Sequence, residues 1–364
     1  MIKVETGHLC LPADFKSGTL LRFSDLNKKY NDMKIAEVYG NLTNTPYGSG
    51  RGSKSLKECD IELLKSYVSD CKKNRIEFNY TFNAATFSNR EFTKTGQEDM
   101  LRFIKQLKNI GVNTFTISLP SVISLISNEY PDTKIIMSAV TCISTPYQLK
   151  ELADDAKISR AYVVEDMNRK PNALKKMAEQ SPFPLSTIVN GFCLFMCAYR
   201  NMHYTSISFR NSKDQVEMPS YYDARCSRIK IDNPEEIIKI PFIRPNDIGR
   251  YKQMGINWFK IAGREMINAN PNFAESAEAY MGGSYDGDLI DLLMNFSDKK
   301  YRGILSLNSK SLDPYFEKLF ERGRDCDRSF CGACGLCRTW AKYVKVDQKR
   351  SRSIPRFRPL KYIR

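Results

Sequence analysis

The stretch "KIIMSAVTCISTPYQLKELADDAKISRAYVVEDM" (134–167) decides the fold of this chain. Two runs in it, 134–141 and 160–167, are rich in the apolar and β-branched residues that fill buried strands. Between them, "PYQLKELADDA" (146–156) has a helical pattern. A strand, a helix and a second strand in close succession form a βαβ unit, in which the two strands lie parallel in one sheet.

The same alternation of strand and helix patterns continues along most of the chain. The predicted strands are 33–40, 76–83, 113–120, 134–141, 160–167, 185–190, 237–245 and 258–264. Eight strands separated by helices predict a parallel (β/α)8 TIM-like barrel of the α/β class. A doubly wound open sheet would show the same alternation, but the count of eight and the absence of a G-x-G-x-x-G motif favour the barrel.

One segment, 191–233, breaks this rhythm where a simple crossover helix is expected, after the sixth predicted strand. An insertion at the carboxyl end of a barrel strand lies on the active face. Polar residues also follow the strand ends and are expected to meet at the barrel mouth. They are Asn83, Asp166, Asn190, Arg244 and Arg264.

These polar residues predict a site for an anionic small molecule. A guanidinium group binds a carboxylate or phosphate through two parallel bonds, so Arg244 and Arg264 are the candidate catalytic cations. Asn83, Asp166 and Asn190 are candidate substrate-binding residues. Arg51 joins them from "YGSGRG" (47–52), a stretch that matches neither the Walker nor the dinucleotide spacing and for which a flexible turn is the alternative. For any single residue the alternative is a salt bridge or loop anchor.

Composition indicates a cytoplasmic protein with a large core. The chain has 364 residues, of which 42% are hydrophobic. No apolar run approaches the roughly 20 residues needed to cross a bilayer, and the first residues lack the order of a signal peptide. In the cytoplasm, eleven cysteines are expected to include metal ligands or reactive thiols rather than a disulfide framework.

Positive charge is concentrated at the end of the chain. Residues 342–364 carry nine Lys/Arg and one Asp, so they contribute +8 of the net charge of +15. Such a tail suits RNA or another anionic partner, or it is a solvated segment that aids solubility. We therefore divide the chain into a barrel (1–310, with the insertion 191–233), a cysteine-rich metal-binding extension (311–341) and a basic tail (342–364).

Two groups of cysteines are candidate metal sites. In the extension, the spacing C-x4-C-x2-C-x2-C with intervening glycines is a strong metal signal, which fits either a tetrahedral zinc site or an iron–sulfur cluster. The insertion group has a weaker pattern, and three buried, inert cysteines are its alternative. The seven candidate ligands are Cys193, Cys197, Cys226, Cys326, Cys331, Cys334 and Cys337. Cys142, at the end of a predicted strand, is a candidate for a fourth ligand at the mouth.

At several of these stretches the sequence resembles the collagenase-like peptidases of unknown catalytic type, peptidase family U32. The resemblance is carried by "FNYTFNA", "VTCIS", "EDMNR", "VNGFCLFMCAYRNMH", "YYDARC", "FIRPNDIGRYKQMGINWFKIAGRE" and "CGACGLC". It implies a barrel with a [4Fe–4S] cluster held by cysteines. It also implies relatives that hydroxylate ubiquinone precursors, transfer RNA or ribosomal RNA without molecular oxygen, with prephenate as the hydroxyl source.

The resemblance gives the insertion its expected role. Cys193, Cys197 and Cys226 match the cysteine-bearing region of the family, although the first two are spaced differently from those of better-studied members. Arg200 and His203 follow Cys197 by three and six residues, so a helix would place them near one face as candidate catalytic residues. An ordinary hydrogen-bonded loop histidine is the alternative for His203.

Three functions follow from these patterns. The first is an iron–sulfur enzyme that performs oxygen-independent hydroxylation or a related redox modification of RNA or another acceptor. The second is a peptidase, for which the sequence offers neither HExxH nor G-x-S-x-G, although a cysteine with His203 would make a dyad. The third is a non-enzymatic RNA-binding or assembly protein whose metal sites are structural.

Overall fold

Eight parallel strands close into a barrel in chain order, with the first strand paired to the eighth. The computed structural model describes residues 5–50, 56–209, 221–264, 273–294 and 301–357. The strands are β1 (Gly7–Pro12), β2 (Met33–Gly40), β3 (Glu77–Phe82), β4 (Thr114–Ile117), β5 (Lys134–Met137), β6 (Arg160–Tyr162), β7 (Leu185–Ile188) and β8 (Trp258–Lys260). The predicted α/β barrel is confirmed.

Helices cover the outside of the barrel and fill the connection between its last two strands. In chain order they are α1 (Ser17–Lys29), α2 (Ile61–Lys73), α3 (Lys94–Asn109), α4 (Pro120–Glu129), α5 (Pro146–Asp155), α6 (Pro171–Gln180), α7 (Arg200–Phe209), α8 (Tyr221–Asp232), α9 (Glu235–Lys239), α10 (Ile248–Gln253), α11 (Phe273–Gly282), α12 (Leu289–Met294), α13 (Asp313–Glu321), α14 (Cys331–Cys334) and α15 (Leu336–Trp340). Helix α5 starts with a capping box between Thr145 and Gln148 and a proline in its first turn, both of which favour helix initiation.

Two strand assignments differ from the sequence-based expectation. The segment 237–245 is not a strand, because Glu235–Lys239 forms α9 and Pro245–Asp247 a 3-10 helix. Its apolar side chains are buried all the same, and a short apolar run does not distinguish a buried helix from a strand. The missing eighth strand is β1, a short segment that ends at Pro12. The cysteine-bearing insertion therefore follows the seventh strand, still at a carboxyl end.

The inside of the barrel is unusually polar. Glu37 on β2 and Arg160 on β6 reach each other across it, with 2.6 Å between Oε2 and Nη2. Asn79 donates to Glu37 over 3.0 Å, and Thr116 donates to Asn79 over 2.9 Å. Arg160 also stacks on Trp258. Branched apolar layers usually fill such barrels, so this hydrogen-bonded network is a particular feature of the chain beneath its mouth.

The described part of the basic tail is attached to the body. β9 (Leu305–Ser306) pairs antiparallel with β10 (Lys345–Val346), and Val344 and Ile354 are buried. The proposed three-part division of the chain stays a prediction. None of the helices in the described ranges has the length and apolar character needed to cross a membrane.

Candidate functional site

A cavity of about 580 Å³, counting the space open to solvent, lies at the carboxyl ends of the strands. Five of the residues around it carry the polar or aromatic groups described next: Tyr39, Asn83, Glu165, Lys260 and Arg264. We call it the mouth cavity. Two of the predicted site residues, Asn83 and Arg264, are among its lining, whereas Arg51 lies outside the described residues.

Hydrogen bonds hold the two predicted residues of the mouth cavity in place. Arg264 donates through Nη1 to Asn41 and, over 2.5 Å, to Thr81. It also donates through Nη2 to Ser49 over 3.2 Å. The side chain of Asn83 accepts from the backbone of Gly50 over 3.0 Å. The cationic group is thus fixed against the wall of the cavity, where it favours a negatively charged ligand.

Lys260, the last residue of β8, is a second basic residue of the mouth cavity, and it was not predicted from the sequence. Its Nζ lies 3.8 Å from the centroid of the Tyr39 ring. Burial, reinforced by the charge of Arg264, lowers the pKa of the Lys260 amine to about 7. A large share of these amines is therefore neutral at neutral pH. The available signal was a lysine within the apolar run "WFKIAG", where a charged residue in a buried strand is rare.

Glu165 connects the mouth cavity to the insertion. It follows β6, lines the cavity, and is one of the charges that act on Cys193. A Cβ atom at Gly191 would lie 2.9 Å from the carboxyl carbon of Glu165, so a larger residue at this position would force the Glu165 carboxyl group to move. Glu165 was not among the residues predicted from the sequence, where its neighbour Asp166 was the candidate.

Asp166 and Arg200 bind each other rather than facing the mouth cavity. Arg200 donates from Nη1 and Nη2 to the two carboxylate oxygens of Asp166, over 2.6 and 2.8 Å. Asp166 also accepts from the backbone of Met196, whose φ of 50° is rare outside glycine. Arg200 donates in turn to the carbonyl of Leu194. The pair therefore anchors the start of the insertion on the barrel.

Arg244 and Asn190 have structural partners of their own. Arg244 is buried, where it donates to Asp247 over 2.7 Å and to Asp313 over 2.7 Å. Asn190 exchanges two hydrogen bonds with the backbone of Ala262 and so joins the ends of β7 and β8. Neither residue lines the mouth cavity. Arg244 and Arg264 were expected to bind one anion together, but the structure does not place them in one cavity. The predicted strand that would have carried Arg244 to the mouth does not form.

Two of the insertion cysteines, Cys193 and Cys226, lie close enough for their charges to interact. Burial raises the pKa of the Cys193 thiol to about 12, with a smaller contribution from Glu165. The charge of Cys226 on α8 also raises the pKa of Cys193. The sulfur of Cys226 lies 3.9 Å from Nζ of Lys230. The charge of Cys197 instead helps to raise the pKa of Arg328 in the extension.

Two further residues of this region have identified partners. The sulfur of Cys142 lies 3.1 Å from Oδ1 of Asn201 at the start of α7. The charges of Glu165 and Arg200 contribute to the pKa of both Cys142 and Cys193, so Cys142 lies in the same surroundings as Cys193. His203 stacks on Tyr222, with 5.2 Å between the ring centroids. His203 does not line the mouth cavity.

The four cysteines of the extension line a second cavity, of about 450 Å³ including open space. We call it the cysteine cavity; its sulfur-bearing residues are Cys326, Cys331, Cys334 and Cys337. Cys331 and Cys334 are the first and last residues of α14. Gly335 then reverses the chain with a φ of 60°, which brings Cys337 on α15 back to the same cavity.

Cations surround the cysteine cavity. Arg322 donates to the sulfur of Cys326 over 2.8 Å and lies 3.6 Å from that of Cys334. Lys239 and Arg324 also line the cavity. Burial opposes ionisation of Cys334, but the backbone N–H of Leu336 and the nearby arginines outweigh it and lower the pKa of this thiol. These cations favour the thiolate of Cys334, whereas burial raises the pKa of the Cys331 thiol and raises that of Cys337 to about 11.

The extension packs against the insertion and the barrel rim. Arg328 donates to the carbonyl of Phe195 over 2.8 Å and pairs with Glu236. The backbone N–H of Cys326 donates to the carbonyl of Arg169, in the loop that follows β6. The cysteine cavity is thus built onto the side of the barrel where the insertion begins.

Comparison with known proteins assigns the fold to a class and the chain to a family. Residues 51–282 match Peptidase family U32, and the chain belongs to this family, which confirms the resemblance. The match ends before Cys326. A curated relative is "Uncharacterized protease MJ1657" from Methanocaldococcus jannaschii (strain ATCC 43067 / DSM 2661 / JAL-1 / JCM 10045 / NBRC 100440), 27% identical over 342 residues, which are 92% of this chain and 98% of that protein. The solved U32 peptidase Mk0906 superposes with a TM-score of 0.52 at 13% identity, over 71% of this chain and 93% of that one, and shows a shared fold.

Proposed function

We propose that this chain is an iron–sulfur enzyme that holds a [4Fe–4S] cluster in the cysteine cavity and carries out an oxygen-independent hydroxylation or a related redox reaction. The observation that carries the proposal is the convergence of all four extension cysteines on one cavity among cationic side chains. Four thiolates are the usual ligand set of such a cluster, and the surrounding arginines offset their negative charge.

The type of ligand fits two kinds of metal group. Four thiolates can hold an iron–sulfur cluster, and they can also make a tetrahedral zinc site. The family resemblance favours the cluster, and zinc in the cysteine cavity is the alternative.

The insertion group does not fit a separate cluster equally well. It offers Cys193, Cys197 and Cys226, but Cys197 influences the extension while Cys226 lies beside Lys230. A cluster on these three cysteines stays a prediction of the sequence. We therefore assign no step of the reaction to them.

Within this proposal, the chain's own residues bind and orient the substrate. A bound cluster would supply electron transfer or an iron that polarises a substrate. Arg264 gives the mouth cavity a positive charge, and Asn83 adds an amide to its wall. An anionic co-substrate, for which prephenate is the candidate implied by the family resemblance, suits this cavity. Asp166 and Arg200 keep the insertion in place beside it.

The test of the proposal is metal analysis of protein purified without oxygen. We expect brown protein with about four iron and four sulfide per chain and a broad visible absorption that fades in air. Zinc-loaded, colourless protein prepared in iron-rich medium would contradict the proposal and support the non-enzymatic alternative with structural metal.

Peptidase activity is the second candidate, because the relative from M. jannaschii is named a protease. The residues of this chain give it less support. The Cys193 thiol has a pKa raised to about 12, which keeps it protonated and poorly nucleophilic. Hydrolysis of an unfolded protein by metal-free enzyme, abolished in a Cys193→Ala variant, would favour the peptidase over the redox enzyme.

We also propose RNA as the acceptor, on the basis of the charge of the tail. In the described tail, Lys349, Arg352 and Arg356 are exposed, whereas Arg350 donates to the carbonyl of Gly303. Changing the three exposed residues to Gln is expected to weaken binding of transfer or ribosomal RNA. Each lost phosphate contact lowers the slope of log affinity against log salt by about 0.7 to 0.9, so the slope should fall by about 2 to 3.

A matched control places the same three changes elsewhere on the surface. Lys28, Lys73 and Lys175 are exposed on helices of the barrel, and the triple Gln variant lowers net charge equally. Filter-binding titrations at several salt concentrations measure both variants. An equal effect of the two triple variants would show general attraction rather than a tail site, and no RNA binding by the unchanged protein would leave metabolites or peptides as acceptors.

A further inference from the structure

The mouth cavity contains a buried amine that the proposed redox chemistry does not use. We propose that Lys260 forms an imine with the carbonyl group of an α-keto acid bound in the mouth cavity. The proposal adds a substrate class and a covalent step to that cavity. It rests on the proposed role of the mouth cavity as an anion site, and it requires neither of the cysteine groups.

Lys260 differs from the other buried cations in its contacts. Arg160, Arg200 and Arg244 each form an ion pair with a carboxylate. Among the described residues, the side-chain amine of Lys260 makes neither a hydrogen bond nor an ion pair, and it lies over the rings of Tyr39 and Tyr162. Its side chain is 8% exposed and lines the cavity. The amine is therefore not committed to a carboxylate of the protein and is available to a ligand in the cavity.

The position of Lys260 makes it reactive as well as accessible. Removing an ammonium group from water without a carboxylate partner disfavours its charged form. Burial first, and then Arg264, lower the pKa of Lys260 to about 7. Lysines that are desolvated or placed beside another cation are those that act as nucleophiles toward carbonyl groups. Lys230, which is also buried, has a raised pKa and offers an internal comparison.

The lining of the cavity indicates which carbonyl compound fits. Arg264 lies four residues after Lys260 and lines the same cavity, so a carboxylate next to the carbonyl group would face a guanidinium. Glu165 lines the cavity as well and gives it a carboxyl group for proton transfer. A carbonyl flanked by a carboxylate, as in an α-keto acid, matches this arrangement of amine, guanidinium and carboxyl groups.

The step is balanced without a further reactant. The neutral Nζ of Lys260 attacks the carbonyl carbon, and a proton moves from nitrogen to oxygen to give a carbinolamine. Loss of water then forms the carbon–nitrogen double bond. No electrons are gained or lost, and water is the single by-product.

Reductive trapping tests the proposal directly. The full-length protein is incubated with pyruvate and sodium cyanoborohydride, and the modified lysines are located by peptide mass mapping. We expect one reduced adduct per chain, on Lys260, and at least tenfold less labelling in Lys260→Arg and Lys260→Met variants. Labelling spread evenly over surface lysines, or no adduct at Lys260, would overturn the proposal.

A second lysine serves as the matched control. Lys252 on α10 also has a pKa lowered chiefly by burial, but it lies outside the mouth cavity and donates to the carbonyl of Asp32. A Lys252→Arg variant should keep full labelling at Lys260. Loss of labelling at Lys260 in the Lys252→Arg variant would contradict the proposal, because Lys252 lies outside the mouth cavity. Circular dichroism of each variant confirms that the barrel is folded.

The pH dependence distinguishes the buried amine from ordinary lysines. Because the neutral amine is the reacting form, trapping at Lys260 should rise about tenfold per pH unit below its pKa of about 7 and level off above it. A rate that keeps rising to about pH 10 would refute the inference. If Lys260 is trapped but metal analysis finds no iron–sulfur cluster, only the redox proposal is refuted. The imine proposal and the redox proposal can therefore fail separately.

Discussion

Replacing Cys334 by alanine is expected to remove at least three quarters of the iron that the proposed cluster would bring to anaerobically purified protein. Cys334 is the extension cysteine whose thiol has a lowered pKa, so it is the one most readily available as a thiolate. A four-iron cluster that loses one of its four protein ligands is exposed to solvent and to exchange. Iron and sulfide analysis, together with visible absorption, measure the loss.

The control for this variant is a cysteine that lies outside the cysteine cavity. Cys71 on α2 is buried in the apolar core, and Cys71→Ala is expected to cost packing energy while iron content stays unchanged. A Cys334→Ala protein with full iron would contradict the assignment of the cluster to the cysteine cavity. Equal losses in Cys334→Ala and Cys71→Ala would point to general unfolding instead.

The insertion cysteines provide a further comparison in the same experiment. If the cysteine cavity alone holds the cluster, Cys226→Ala keeps its iron. Arg328 nevertheless links the two groups, since it donates to Phe195 and interacts with both Cys197 and Cys331. A parallel loss of iron in Cys197→Ala would therefore show that the insertion lends a ligand to the extension.

The barrel was predictable because strand and helix alternate with little ambiguity in most of the chain. The run 160–167 illustrates this, since its apolar residues and its neighbouring helical segment agree. The failures arose where local pattern and tertiary contact disagree. β1 ends at Pro12 and gains its stability from pairing with both β2 and β8, which a local window does not show. The apolar segment 237–245 is buried without sheet pairing.

The candidate site was predictable where spacing itself carries chemistry. The C-x4-C-x2-C-x2-C spacing requires its thiols to be close, and the four cysteines share a cavity. Arg244 was misplaced because its position at the end of a supposed strand was inferred from that strand. Lys260 was missed although it stands in an apolar run, because a local pattern does not show that the closed barrel places its amine in the same cavity as Arg264.

Changing Arg160 to Leu is expected to lower the free energy of unfolding by about 3 to 5 kcal/mol, the typical cost of removing one partner of a buried ion pair. The guanidinium lies 2.6 Å from Glu37 inside the barrel, and its side chain is 6% exposed. Without it, the carboxylate of Glu37 keeps the hydrogen bond from Asn79 and loses its counter-charge. Urea denaturation followed by circular dichroism measures the change.

The double variant Glu37→Leu, Arg160→Leu separates charge from packing. If the cost comes from an uncompensated carboxylate, removing that carboxylate should restore stability to well above that of Arg160→Leu alone, because an apolar pair often replaces a buried ion pair at little cost. A double variant less stable than the single one would show that shape complementarity around Trp258 dominates instead.

The dependence on pH gives the same test in another form. Burial alone would raise the pKa of Glu37, but Arg160 and Asn79 outweigh it and hold the pKa below its ordinary value. The unchanged protein therefore gains stability from Glu37 above the unfolded-state pKa of about 4.3 and loses it as pH falls through the lower folded value. In the Arg160→Leu variant, burial without the counter-charge raises the pKa of Glu37. Protonation of Glu37 at lower pH therefore removes the buried charge and restores part of the lost stability. The stability difference between the two proteins should accordingly narrow as pH is lowered from 7 toward about 4, and a difference that stays constant would exclude the charge of Glu37 as its cause.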